Sequence, residues 1–219
     1  CYSKVITQVS DLKQAIKQND VKCVQDPSYF INQYCTIQHP QRGKIKFKLY
    51  PFQYDVLKEY QSHDYNVVLK SRQLGISTLS AAYSLWLMLF QNDKNVLVIA
   101  TTKDTAKNLI TKTRVMYDGL PVWLKTQIVE NNKLSLIFKN GSQIKAIASN
   151  ESAGRSEALS LLILDEAAFI DKIDTIWTAA QQTLATGGRC LAISTPNGVG
   201  NWFHKTWIDA TDGINKFNT

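Results

Sequence analysis

The chain has 219 residues, 44% hydrophobic and 20% charged, with Lys and Arg exceeding Asp and Glu by 25 to 18 for a net charge of +7. So much apolar material excludes a disordered chain and bounds the architecture at one large domain, or one domain with an appendage. The positive surplus suits a polyanionic partner such as nucleic acid, while four cysteines without C-x-x-C spacing or paired histidines exclude a zinc site or disulfide framework.

Asp26-Pro27 reads as a helix N-cap with proline at the first helical position, followed by Phe30, Ile31, Tyr34 and Cys35 at helical spacing. The turn Pro40-Gln41-Arg42-Gly43 leads into Lys44–Leu49, an alternating basic and apolar strand pattern. Pro51 opens another helix with Val56, Leu57 and Tyr60 on its apolar side. Residues 1–50 are expected to form an accessory or lid segment ahead of a core spanning 51–207. The first residues, Cys1 to Val5, lack the charged-then-apolar layout of a secretory signal. The apolar stretch Ala81 to Phe90 is about half of the ~20 residues that span a bilayer, so it predicts a buried core helix and no membrane.

From Val67 the pattern becomes α/β. Strands are predicted at Val67–Lys70, Val96–Thr101, Leu161–Asp165 and Cys190–Thr195, separated by helices near 76–91, 104–118 and 173–186. Continuous apolar strands linked by helices predict a mainly parallel sheet covered on both faces. Leu134–Lys139 and Ser142–Ala148 flank Asn140-Gly141, which predicts a type I′ hairpin at one edge. In such sheets ligands bind beyond the carboxyl ends of the strands. Lys70–Ser77, Asp165–Glu166 and Thr195–Asn197 all fall there.

The segment Lys70-Ser71-Arg72-Gln73-Leu74-Gly75-Ile76-Ser77-Thr78 has the layout of strand, glycine-bearing loop and Ser/Thr-opened helix that presents backbone N–H groups to a triphosphate. The usual lysine slot before the hydroxyl is Ile76, so Lys70 or Arg72 must reach the phosphates from the front of the loop. Lys70 is the better point charge, and Arg72 shares that work or senses the γ-phosphate. Gly75 admits close backbone approach. Ser77 is expected to offer its hydroxyl to Mg²⁺, with Thr78 taking over if the register slips by one. Four aliphatics end in Asp165-Glu166, whose side chains leave the strand on opposite sides. Asp165 is assigned to the metal and Glu166 to the attacking water. Ser194, Thr195, Pro196 and Asn197 follow another aliphatic strand and suit detection of the γ-phosphate. Gln53, beside Phe52, has an amide able to pair with adenine, and Arg155 lies in a polar loop from which an arginine finger can reach a neighbouring subunit. Lys103, Lys107 and Arg114 share one helical face, and His39, His63 and His204 stand isolated.

Taken together, Ser71–Gly75, Leu164-Asp165-Glu166-Ala167 and Ser194-Thr195-Pro196-Asn197-Gly198, with Asp26–Phe30 and Phe52-Gln53, resemble the ATPase domain of the large terminase subunit, the DNA-packaging motor of tailed bacteriophages. The resemblance spans nearly the whole chain. It implies a RecA-like P-loop NTPase of the additional-strand catalytic-glutamate class, using ATP and Mg²⁺. It further implies that Gln53 recognises adenine, Asp165 holds the metal, Glu166 is catalytic, Ser194–Pro196 couple hydrolysis to DNA movement, and Arg155 acts in trans. Some family members carry lysine where Ile76 stands, and others begin the loop with it, as Lys70 does. The implied partners are double-stranded DNA, a portal protein, a small terminase subunit and further copies in a ring, within the host cytoplasm. The family's second half is an RNase H-like nuclease. Residues 208–219 are expected to begin a linker toward it, and no DNA cleavage is expected from this chain. Two alternatives remain: a superfamily 2 helicase-like fragment, which needs a second lobe, and a nucleotide-binding scaffold without turnover.

Overall fold

A computed structural model describes residues 14, 16–149 and 158–219. Arg155 lies outside the described residues. Helix α1 covers 16–25 and is followed by α2 (Pro27–Tyr34), whose N-cap Asp26 accepts from the Ser28 amide. A small hairpin, β1 (Thr36–His39) and β2 (Gly43–Lys46), precedes α3 (Pro51–Ser62). The core then runs β3 (Tyr65–Leu69), α4 (Ile76–Phe90), β4 (Asn95–Ala100), α5 (Lys103–Asp118), β5 (Ile128–Asn131), β6 (Ser135–Phe138), β7 (Gln143–Ala148), β8 (Leu161–Asp165), α6 (Ile173–Leu184), β9 (Arg189–Ser194) and α7 (Trp202–Thr211).

The main sheet has seven strands in the order β3-β9-β8-β4-β7-β6-β5. The first five run parallel, and β6 and β5 extend the edge antiparallel. This is the mixed α/β architecture that the apolar runs predict. Strand alternation divides the interior in two. Leu161 and Ile163 face one hydrophobic cluster with α4 and α5, while Leu162 and Leu164 face the other with α6. Strands buried on both faces need apolar residues at every position, which is why β8 is aliphatic until its last residue. Each such Leu or Ile contributes about 1.5–3 kcal/mol by leaving water.

The accessory elements share this core. Cys23, Phe30, Ile31, Cys35 and Phe47 are buried in the α4 cluster, Phe30 meets Phe90 edge-on at 5.4 Å, and Trp86 Nε1 donates to the Cys23 carbonyl at 2.7 Å. At the other end Asn218 bonds both ways with β3, its N–H to the Tyr65 carbonyl and its carbonyl from the Val67 N–H. Helix α7 covers the Trp-rich segment just before the expected start of a linker.

Three local expectations change. The alternating strand stops at Lys46 and pairs with β1, a partner whose four residues carry too weak a pattern to predict. An extra edge strand, β5, joins the hairpin. The hairpin turn is also a three-residue bulged loop, with Gly141 at φ +80° and the Gly141 N–H donating to Phe138 O. Asn140 does not share the positive φ of a type I′ turn. Its amide instead donates to Met88 O and Gln91 O and accepts from the Ser142 N–H.

Candidate active site

Register brings the chemistry-bearing segments to one row. Lys70 N–H donates to Ser194 O at 3.0 Å, extending the β3–β9 ladder, and Asp165 pairs in register with Ile193 on one side and Ala100 on the other. The loop from Lys70, Glu166 after β8 and Thr195 after β9 therefore surround a single cavity of about 750 Å³, and Asp165 is bonded to its lining residue Ser77.

The loop is shaped by two residues in the left-handed region, Gln73 (φ +63°) and Gly75 (φ +72°). A Cβ at Gly75 would sit 3.0 Å from Gln53 Nε2, close enough to push that amide, on a left-handed backbone that already disfavours a side chain. Gly75 N-caps α4 without any side-chain cap, so the first-turn N–H groups are free to bind an anion. Ile76 points into the core at 3% exposure, which resolves its role as a packing residue whose backbone borders the cavity. Arg72, Gln73, Leu74, Ser77 and Thr78 also line the cavity, and Ser71 is exposed outside it.

The two acids separate as their strand position requires. Asp165, 6% exposed, accepts from Ser77 Oγ at 2.9 Å. Burial pushes its carboxyl above the ordinary range; the Ser77 bond opposes this, and the Glu166 charge adds to it. Glu166 takes a left-handed backbone (φ +55°), rare for a side-chain-bearing residue. Its Oε1 accepts from Lys70 Nζ at 2.7 Å, and its Oε2 accepts from the Thr195 N–H and Oγ1 at 3.3 Å each. Burial pushes Glu166 upward too, but the Lys70 ammonium and the Thr195 donors outweigh it and hold the carboxyl below its usual value. Strain in such a conformation persists where surrounding contacts enforce it.

The segment after β9 grips the turn that follows Glu166. Ser194 Oγ accepts from the Ala168 N–H at 3.1 Å, and Asn197 Nδ2 donates to Ala168 O at 2.9 Å. Ser194 is wholly buried, whereas Pro196 and Asn197 are exposed. Gln53 is oriented otherwise than expected. It is 1% exposed; Nε2 donates to Leu74 O at 3.0 Å, and Oε1 accepts from the Tyr50 N–H at 3.1 Å. One half of its amide thus fastens the loop from behind and the other caps α3, and Gln53 is not among the residues lining the cavity. Three residues that the sequence did not single out join the lining: Thr101, Lys112 and Phe169. Lys112 stands at the margin of the apolar stripe of α5, where a single cation reads as surface.

Residues 67–218 match the family described as the terminase large subunit, T4likevirus-type, N-terminal. Among solved structures, the ATPase domain of the large terminase of Thermus phage P74-26 is similar at 23% identity and a TM-score of 0.60, over 73% of this chain and 69% of that one. The large terminase of bacteriophage HK97 gives 21% and 0.70, over 89% and 43%. The large terminase of a thermophilic bacteriophage, in complex with ADP, gives 17% and 0.61, over 78% and 44%. This chain spans less than half the length of the latter two.

Proposed function

This chain belongs to the T4likevirus-type family of terminase large subunits, within its N-terminal part, and on that premise we propose that it hydrolyses ATP with Mg²⁺ to drive double-stranded DNA into a viral capsid. The observation that carries the reading is the meeting, around one cavity, of Lys70, an uncapped helix N-terminus, Ser77 with Asp165 bonded to it from outside the lining, and the Glu166–Thr195 pair. A strand inserted between the loop strand β3 and the acid-bearing strand β8 supports the additional-strand glutamate class.

The chemistry follows from these contacts. The α4 N-terminus and loop amides hold the phosphate chain. Lys70 Nζ supplies charge to the phosphoryl oxygens, and its departure from Glu166 frees that carboxylate to orient a water and accept its proton as the water oxygen attacks the γ-phosphorus. The bond to the β-phosphate oxygen breaks and ADP leaves. While paired with Lys70 the carboxyl of Glu166 is held low and ionised, and departure of the ammonium removes that depression and makes the carboxylate a stronger base. Bound Mg²⁺ would neutralise charge on the β- and γ-oxygens, and the hard oxygens of Ser77 and Asp165 would hold it, with water and phosphate completing the shell. Thr195 and Asn197 connect Glu166 and its turn to β9, a route by which hydrolysis displaces Ser194–Asn197 outward.

Gln53 acts on nucleotide affinity through the loop that it fastens; contact with adenine requires exchange of its two present bonds. Arg155 serves a neighbouring subunit's nucleotide in a ring on the portal, with the small subunit and DNA as further partners in the host cytoplasm. Residues 1–50 act as the accessory segment, 51–207 as the ATPase core and 208–219 as the approach to a nuclease domain. The test is ATP turnover with Mg²⁺ and with chelator. Mg²⁺-dependent turnover lost in Glu166→Gln supports the proposal. Nucleotide binding without turnover, even with DNA, portal and small subunit, favours the scaffold.

A further inference from the structure

Helix α5 buries Leu109, Thr113 and Met116, positions that form one stripe against the sheet. Lys112 lies at the margin of that stripe, three residues after Leu109 and four before Met116, on the side that borders the cavity. It is only partly exposed and borders the same cavity as Lys70, Gly75, Ser77 and Glu166. Buried lysines are ordinarily paired. The ammonium of Lys112 forms no hydrogen bond or ion pair with any described residue, although it lies within the electrostatic reach of Asp165 and Lys70. The other inner charges are already engaged: Lys70 with Glu166, and Asp165 with Ser77.

Charge balance gives this lysine a purpose. Two carboxylates act on the inner wall: Glu166 lines it, and Asp165 is bonded to the lining residue Ser77. With Lys70 alone it would be net negative and would repel a polyanion; Lys112 brings it to neutrality, leaving exposed Arg72 at the rim to add attraction. We propose that Lys112 is a second phosphate-binding ammonium, delivered from the β4–α5 unit to the polyphosphate of a nucleoside triphosphate. The proposal rests on the cavity's being the nucleotide site. Among the described residues Lys112 has no competing partner, whereas Lys70 must exchange Glu166 for phosphate. Because the unpaired ammonium is partly desolvated, its removal relieves a penalty in the free protein while weakening the complex.

The experiment measures ATPγS binding to the wild type, Lys112→Met, Lys112→Arg and Lys70→Met, in excess EDTA and in Mg²⁺, together with ligand-free melting temperatures. Lys112→Met is expected to raise Kd roughly 10- to 100-fold in both conditions, the effect of one charged hydrogen bond. Lys112→Arg recovers most of that loss, and the ligand-free melting temperature of Lys112→Met does not fall. Lys112→Gln gives the same ranking should methionine not be accommodated. Wild-type affinity of Lys112→Met in EDTA, with a lower Mg²⁺ requirement, would overturn the proposal and leave Lys112 as a counter-ion of Asp165. Failure of the wild type and Lys70→Met alike to bind ATPγS would instead defeat the nucleotide site itself.

Discussion

At the amino ends of the parallel strands, Arg189 donates to Tyr60 O at 2.9 Å and to Tyr83 Oη at 3.1 Å, while Ser142 Oγ donates to Gln91 O and accepts from the Lys94 N–H. At the carboxyl ends, Lys70 and Glu166 close on one another beside an open cavity, two loop residues and Glu166 hold left-handed backbones, and α4 starts without a side-chain cap. One sheet thus treats polar groups in two ways. Amino-end groups satisfy one another and so stabilise the fold; carboxyl-end groups keep charge and donors within reach of a ligand. The former should respond to substitution in stability, the latter in chemistry.

Glu166→Gln should break the comparison most visibly. Turnover is expected to fall by about 10²–10⁴, the range for a lost general base, with little change in melting temperature; steady-state ATPase assays and a thermal melt check both. Lys70→Ala is expected to cost roughly 10²–10³ in turnover by removing charge aimed at the transition state. Ile76→Ala should instead show a stability loss of about 2–5 kcal/mol, because Ile76 is buried, with turnover per folded molecule much less affected. The opposite ranking in the same assay would move the phosphate contact away from Lys70.

At the other end, Arg189→Ala should destabilise by about 1–3 kcal/mol by removing two charge-assisted hydrogen bonds, leaving the Tyr60 carbonyl with the Tyr83 hydroxyl as its donor, as read by urea unfolding, and leave turnover per folded molecule unchanged. The smallest effect lies in acid. Glu166 is depressed below its ordinary 4.5, so its stabilising contribution is full above that pH and is lost as pH falls through the lower folded value. Asp165 is raised by burial, so its ionisation opposes folding and protonation relieves it. Across about pH 3–7, the wild type's advantage in melting temperature over Glu166→Gln should therefore fall with acid, while its deficit against Asp165→Asn closes, so the two signed differences change with opposite slopes. Parallel slopes would dissolve the distinction between the two acids.

The parallel core was legible because its signal is local: Leu161–Leu164 are aliphatic without interruption, and Asp165-Glu166 break that run where the strand must end. The loop from Lys70 was legible for the same reason, its polar residues being bounded by a strand and a helix. What escaped depends on contacts across the chain. Nothing near Gln53 says that its amide will meet Leu74 O, twenty-one residues away, and nothing near Thr195 announces both of its donors on Glu166. The four-residue strands β1 and β5 carry too few alternations to stand out, and their pairing comes from the neighbouring strands. Lys112 was hidden by its own helix, where a single cation in an amphipathic pattern reads as surface until the cavity beside it is visible.

The most direct test is a crystal or cryo-EM structure with Mg²⁺ and ATPγS, reading the position of Lys70 Nζ. This nitrogen is expected to leave Glu166 Oε1 and to lie at about 2.7–2.9 Å from a β- or γ-phosphoryl oxygen. A nucleotide bound in that cavity with Lys70 still paired to Glu166 would contradict it, as would a nucleotide seated away from Ser77 and Asp165.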